Sequence, residues 1–119
     1  MKTFFNLAVG VVMGLASVSA VAHASLQSST PSANEVVQIA PTAIVLRFDT
    51  ALEAPFSKIT LINLKTGAVD TRKALGDRAH PNTLRTPMPP LAAGNYQVQW
   101  STLTQDGHRA KGQFSFQVK

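Results

Sequence analysis

The sharpest alternation of apolar and polar positions comes near the end of the chain. Tyr96, Val98 and Trp100 fall on one side of an extended segment and Gln97, Gln99 and Ser101 on the other, the two-residue period of a half-buried strand. After Gly112 the pattern repeats in Phe114, Phe116 and Val118, so the two segments predict a hairpin whose loop carries Asp106. Upstream, Ile44, Leu46 and Phe48 alternate behind Pro41. Ile59 and Leu61 alternate behind Pro55 and run on to Leu64, where Lys65, Thr66 and Gly67 predict a turn. Residues 72–81 are polar and have no period, and Pro87, Pro89 and Pro90 mark a connection that cannot lie within a central strand. Beyond residue 22 no segment keeps a helical period.

This spacing predicts an all-β fold of about seven strands, either a Greek-key β-barrel or an immunoglobulin-like β-sandwich. A single sheet of that size would leave an apolar face in water. Phe48, Trp100, Phe114 and Phe116 are the expected core, each contributing roughly 1.5–3 kcal/mol on burial. The chain has no cysteine, so packing alone must hold the sheets together, and thiolate metal chemistry is excluded.

The front of the chain is different. Lys2 precedes an uncharged, largely apolar run over residues 4–18, the layout of an export signal and short for a membrane span. Small residues satisfy a signal peptidase in two registers: Ala20 with Ala22, releasing His23, or Ala22 with Ala24, releasing Ser25. What remains is enough for one small domain and not two. Setting Lys2 aside, ten Lys and Arg face six acids, a net charge of about plus four spread without runs, which gives no nucleic-acid tract.

Cleavage after Ala22 would make His23 the first residue, and an amino-terminal His offers its α-amine and ring Nδ1 to one metal ion. A third nitrogen from His108 and an oxygen from Asp106 would complete a tetragonal set suited to Cu(II), whereas Zn(II) prefers a tetrahedron. Asp106 and His108 stand two apart and share a side if the loop stays strand-like. Gly107 between them relieves crowding or makes the turn. Asp-Gly is ordinary turn chemistry, so the triplet does not define a site by itself. His80, before Pro81 in a polar stretch, reads as an exposed loop histidine.

Three longer stretches sharpen this. Leu91-Ala92-Ala93-Gly94-Asn95-Tyr96-Gln97-Val98-Gln99-Trp100, then Thr104-Gln105-Asp106-Gly107-His108, then Lys111-Gly112-Gln113-Phe114-Ser115-Phe116-Gln117-Val118 closely resemble the CopC/PcoC family of periplasmic copper-resistance proteins. The family pattern reads L-x-x-G-x-Y-x-V-x-W, S-x-D-G-H and G-x-x-x-F-x-V. His23-Ala24-Ser25-Leu26-Gln27-Ser28-Ser29-Thr30-Pro31 is similar to the family's mature start, H-x-x-L-x-x-S-x-P. The resemblance implies a signal peptide over residues 1–22, a CopC-like β-sandwich domain over 23–119 and a periplasmic location. It implies one Cu(II) per chain, with His23 (amine and imidazole), Asp106 and His108 as ligands. The implied role is copper carrier or buffer, not enzyme, acting as a monomer beside a CopD-like inner-membrane copper transporter.

The chain departs from the family in three places. Some relatives hold Cu(I) in a Met-rich segment, but beyond the leader this chain has only Met88, and one thioether cannot make a soft-ligand site. Some relatives place a Glu near the metal where this chain runs Phe48-Asp49-Thr50, leaving Asp49 or Glu53 as substitutes. Thr104 replaces the usual Ser before the Asp-Gly-His triplet and keeps its hydroxyl.

Two alternatives stand beside the carrier reading. A copper-dependent oxidative enzyme can also clasp its metal with an amino-terminal His on a sandwich, but residues 23–119 leave little room for a flat substrate face, and an Asp ligand crowds the open position that oxygen chemistry needs. A non-metal adhesion or scaffold sandwich would carry the triplet by chance.

Overall fold

The computed structural model describes residues 24–119. The expected leader over residues 1–22 and the candidate ligand His23 lie outside the described residues.

The described chain forms nine strands: β1 (Leu26–Thr30), β2 (Val36–Val37), β3 (Ala43–Phe48), β4 (Lys58–Asn63), β5 (Gly67–Ala68), β6 (Leu75–Gly76), β7 (Thr83–Pro87), β8 (Gly94–Leu103) and β9 (Arg109–Val118). A short 3-10 turn, Ala54–Phe56, precedes β4. One sheet has the order β1-β3-β7-β6 and the other β2-β9-β8-β4-β5, an immunoglobulin-like sandwich. The expected all-β sandwich is therefore what forms, and three of its nine strands are two-residue edge pieces. Strand pairs are antiparallel except β2 with β9, because the first part of the chain leaves β1 in one sheet and joins the other beside the last strand.

Inward alternation builds the core. Ile44, Leu46 and Phe48 from β3 face Ile59 and Leu61 from β4, Tyr96 and Val98 from β8, and Phe114, Phe116 and Val118 from β9, all buried. Tyr96 keeps its hydroxyl satisfied within this apolar setting by donating to the Ala92 carbonyl at 2.6 Å, a tyrosine corner at the start of its strand. Its ring stacks on Phe116 at 5.5 Å. Trp100 is half-buried. Its ring meets Phe48 edge-on at 6.0 Å and Phe114 at 6.1 Å, joining the two sheets at one end of the sandwich. Gly112, the cross-strand partner of Trp100, leaves the room this ring occupies: a Cβ there would overlap it.

Two expectations need correcting. The apolar run after Pro55 does not continue as strand to Leu64: β4 ends at Asn63, whose side-chain oxygen accepts from the Lys65 and Thr66 amides at 2.9 and 3.2 Å and turns the chain, leaving Leu64 exposed. Strand β7 is the second: Thr83-Leu84-Arg85-Thr86 shows one apolar residue where the core uses two inward positions. Pro87, expected in a connection, is the last residue of this strand, which lies between β3 and β6; it pairs with Ala43, at the strand's end beyond the β6 pairing. The other inward position is Thr86, fully buried with no hydrogen-bond partner for its hydroxyl.

Replacing Thr86 by Val removes an unsatisfied buried hydroxyl at nearly constant volume and is expected to stabilise the domain by about 1 kcal/mol. Thermal denaturation should show a midpoint raised by roughly 4–8 °C. Gly112→Ala should do the opposite. The added methyl pushes the Trp100 ring against Phe48 and Phe114, costing about 1–3 kcal/mol, with a change in tryptophan emission reporting the displaced ring.

Candidate metal centre

One end of the sandwich gathers the residues with ligand chemistry. Strand β8 ends there and β9 begins there, joined by residues 104–108, with the segment following β3 alongside. Leu52 forms a bridge with Thr104, the Glu53 amide donates to the Leu103 carbonyl at 2.8 Å and the Gln105 amide to the Ala51 carbonyl at 3.1 Å. Buried Ser57 completes the brace: it accepts from the Leu103 amide at 3.1 Å and donates to the Glu53 carbonyl at 2.9 Å. The loop is thus tied to the body of the domain at its base.

Thr104 shapes the loop from inside. It is 1 % exposed, and its hydroxyl donates to an Asp106 carboxylate oxygen while accepting from the His108 amide at 2.9 Å. The Gly107 amide donates to the Thr104 carbonyl at 2.9 Å, closing a four-residue turn. Gly107 has φ of 88° and open space where a Cβ would stand, so glycine serves the left-handed backbone and not a close approach.

Asp106 and His108 do converge, with His108 Nδ1 3.1 Å from Asp106 Oδ1 and side chains 56 % and 50 % exposed respectively. The route differs from the strand-like alternation expected. Residues 105–107 form a turn and bend, and it is the turn closed on Thr104 that brings the two side chains together. The Asp106 carboxyl is held below the usual carboxylate range, chiefly by the Thr104 hydroxyl and next by the His108 side chain, since hydrogen bonds to the ionised form favour it.

The start of the described chain comes to the same end. Buried Ala24 shares a cleft with Ser101, Arg109, Ala110 and Lys111, next to the strand that His108 leads into. Asp49 fixes it there: its carboxylate accepts from the Ser25 amide at 2.9 Å, and its own amide donates to the Ser25 carbonyl at 3.0 Å. The sequence offered Asp49 or Glu53 as an auxiliary ligand. Asp49 acts as a clamp on the chain start, and Glu53 heads the 3-10 turn. His80 is exposed in its own turn before β7. Among the described residues no three His, Cys, Asp or Glu side chains stand close enough to hold a metal, so Asp106 and His108 form a two-donor pair, one oxygen and one nitrogen. Nothing in the sequence but a hydroxyl two positions before an Asp signals the part that Thr104 plays.

Residues 26–119 match the family model of the CopC domain. The chain belongs to the CopC family. Copper resistance protein C of Escherichia coli is 35% identical to it, over 92% of this chain and 91% of that protein. The crystal structure of CopC from Methylosinus trichosporium OB3b superposes with a TM-score of 0.77 at 32% identity, covering 82% of this chain and 94% of that one. PcoC of Escherichia coli, described as a methionine-rich copper resistance protein, superposes with a TM-score of 0.72 at 34% identity, over 82% of this chain and 100% of that one. The CopC sandwich thus accounts for essentially all of the described chain, the Asp106 loop included.

Because the Asp106 pKa is depressed in the folded protein, the order its carboxylate lends the loop is present above the ordinary carboxylate pKa and is lost as pH falls through the depressed value. Thr104→Val removes the larger cause of that depression. Carboxyl-carbon NMR titration is expected to show the Asp106 midpoint moving up toward the ordinary range, and an unchanged midpoint would mean that Thr104 does not set it.

Proposed function

We propose that this protein is a periplasmic Cu(II) carrier or buffer serving copper resistance, released by cleavage after Ala22 and binding one Cu(II) per chain through His23, Asp106 and His108. The observation that carries the reading is the convergence of Asp106 and His108 at the end of the sandwich where the described chain begins. A residue joined to Ala24 has its Cα about 3.8 Å from that of Ala24, and Ala24 sits beside Arg109 and Ala110. An amino-terminal His at that point adds two nitrogens to a waiting nitrogen and oxygen, a donor set that suits Cu(II). Copper is cargo here. Asp106 and His108 hold it, Thr104 orients them, and Asp49 keeps the start of the chain in place.

The family relationship supports copper as the metal, since the relatives compared above are named for copper resistance. The chemistry differs from that of a methionine-rich relative. Met88 is the only methionine among the described residues, and it packs against the core, so we assign no Cu(I) thioether site. We also assign no catalysis. The outward side of β8 carries Gln97, Gln99 and Ser101, and Tyr96 is buried, so this strand presents no flat aromatic platform to hold a substrate against the metal. The protein acts as a monomer and exchanges copper with a CopD-like inner-membrane transporter.

The test is a Cu(II) competition titration, with electron paramagnetic resonance at saturation, on protein whose mass confirms that it starts at His23. One tightly bound equivalent with a tetragonal, nitrogen-rich signal is expected. One extra residue ahead of His23, or His108→Ala, should each weaken binding by at least about 10–100-fold, the loss that follows when even an outer-shell partner of a metal ligand is removed. Affinity should also fall steeply on acidification, because the α-amine and imidazole, with ordinary pKa values of about 7.7–8.0 and 6.5, must lose protons to bind. Equal affinity in the extended protein would sink the amino-terminal clasp.

A further inference from the structure

The outer face of the five-stranded sheet carries positive charge at the same end as the Asp106 loop. Register places Lys58 opposite Ser101 and Ser101 opposite Lys111, so the two lysines flank a small hydroxyl side chain on three neighbouring strands, their backbones about 10 Å apart. The next row is Thr60, Gln99 and Gln113. Together with half-buried Trp100 and Gly112 these six residues line an open cleft of about 520 Å³ that no Asp or Glu enters. Arg109 lies on the same face two residues before Lys111, and its guanidinium donates to the Phe56 carbonyl at 3.4 Å. Phe56 itself is 62 % exposed. Among the described residues Asp106, beside His108, is the one carboxylate that meets a basic side chain, so Lys58, Arg109 and Lys111 have no carboxylate partner.

We propose that this cleft, with Phe56 at its edge, is the docking face for an acidic protein surface whose Asp or Glu carboxylates seat between Lys58 and Lys111 over Ser101. Three cations left without acids on one face are complementary to an anionic partner and steer its approach. An exposed aromatic beside an Arg is the composition of an interface anchor. The Gln99, Gln113, Thr60 and Ser101 side chains offer donors and acceptors to a polar partner. With Phe56 beside it the one large exposed aromatic among the described residues, the face suits a protein better than a lipid surface, which rewards deeper apolar insertion. Arg109 follows His108 directly, so a partner seated here has its edge against the donor pair. That the partner is the source or acceptor of cargo rests on the proposed function; the docking face itself does not.

The test is an amide NMR titration of the metal-free exported protein with a peptide of six glutamates and one leucine, and with a hexalysine control. The glutamate peptide is expected to give saturable, salt-sensitive shifts centred on Phe56, Lys58, Ser101, Arg109 and Lys111, and hexalysine none. The double variant K58E/K111E should weaken the peptide at least about tenfold and leave Cu(II) affinity unchanged. K58Q/K111Q, with charge removed and not reversed, should give an intermediate loss on an otherwise intact spectrum. Shifts centred on Arg47 and Arg85 of the other sheet, or equal binding by both variants, overturn the proposal. So does tight binding of phosphatidylglycerol vesicles through the same residues with no response to the peptide. The copper titration of the unaltered protein starting at His23 separates the two readings: peptide shifts that persist when that titration fails leave the face standing and overturn only the cargo.

Discussion

The two sheets meet under the Asp106 loop through Phe48, Trp100 and Phe114, and the arrangement of that end of the molecule depends on this contact. No disulfide is available to fix the spacing of the sheets, so aromatic packing sets it. Phe48 is the last residue of β3, and the chain it releases carries Asp49, which clamps Ser25, and Leu52, which bridges to Thr104. Trp100 stands four residues before Thr104 on β8. Gly112 on β9 leaves the space beside the strand that this ring fills. An aromatic platform of this kind is worth roughly 0.5–1.5 kcal/mol per ring pair beyond area burial, and it underlies the end of the sandwich from which the Asp106 loop springs.

Above that platform the chemistry depends on one hydroxyl. Thr104 is a core residue by burial and a loop residue by its hydrogen bonds, and it reaches both Asp106 and His108. A loop held only by its backbone would leave two solvated side chains to find each other against their own rotamer entropy. Here part of that ordering is built into the fold.

Much of the architecture was legible in the sequence because β3, β4, β8 and β9 bury one face each and therefore alternate openly. Tyr96, Val98, Phe114, Phe116 and Val118 all fall where their spacing put them. The strands that did not announce themselves are those whose inward positions are polar or few. β7 turns Thr86 into the core, β1 reads as Leu-Gln-Ser-Ser-Thr with little apolar signal, and β2, β5 and β6 are two-residue edges set by their neighbours. The candidate site divides in the same way. Asp106 and His108 were readable as chemistry-bearing residues in a hairpin loop, whereas the means of their convergence was not, since a turn closed on a buried threonine leaves no periodic trace. Asp49 was readable as an acid near the site but not as a clamp, because its partner is a backbone amide twenty-four residues away in sequence.

Asp106 and His108 each keep about half of their side-chain surface in water. On the proposed copper reading the pair is met directly from solvent, and no breathing of the sandwich would be needed to load or unload it. The barrier to exchange would then lie in the side chains themselves, and the rigid body of the domain would add nothing to it.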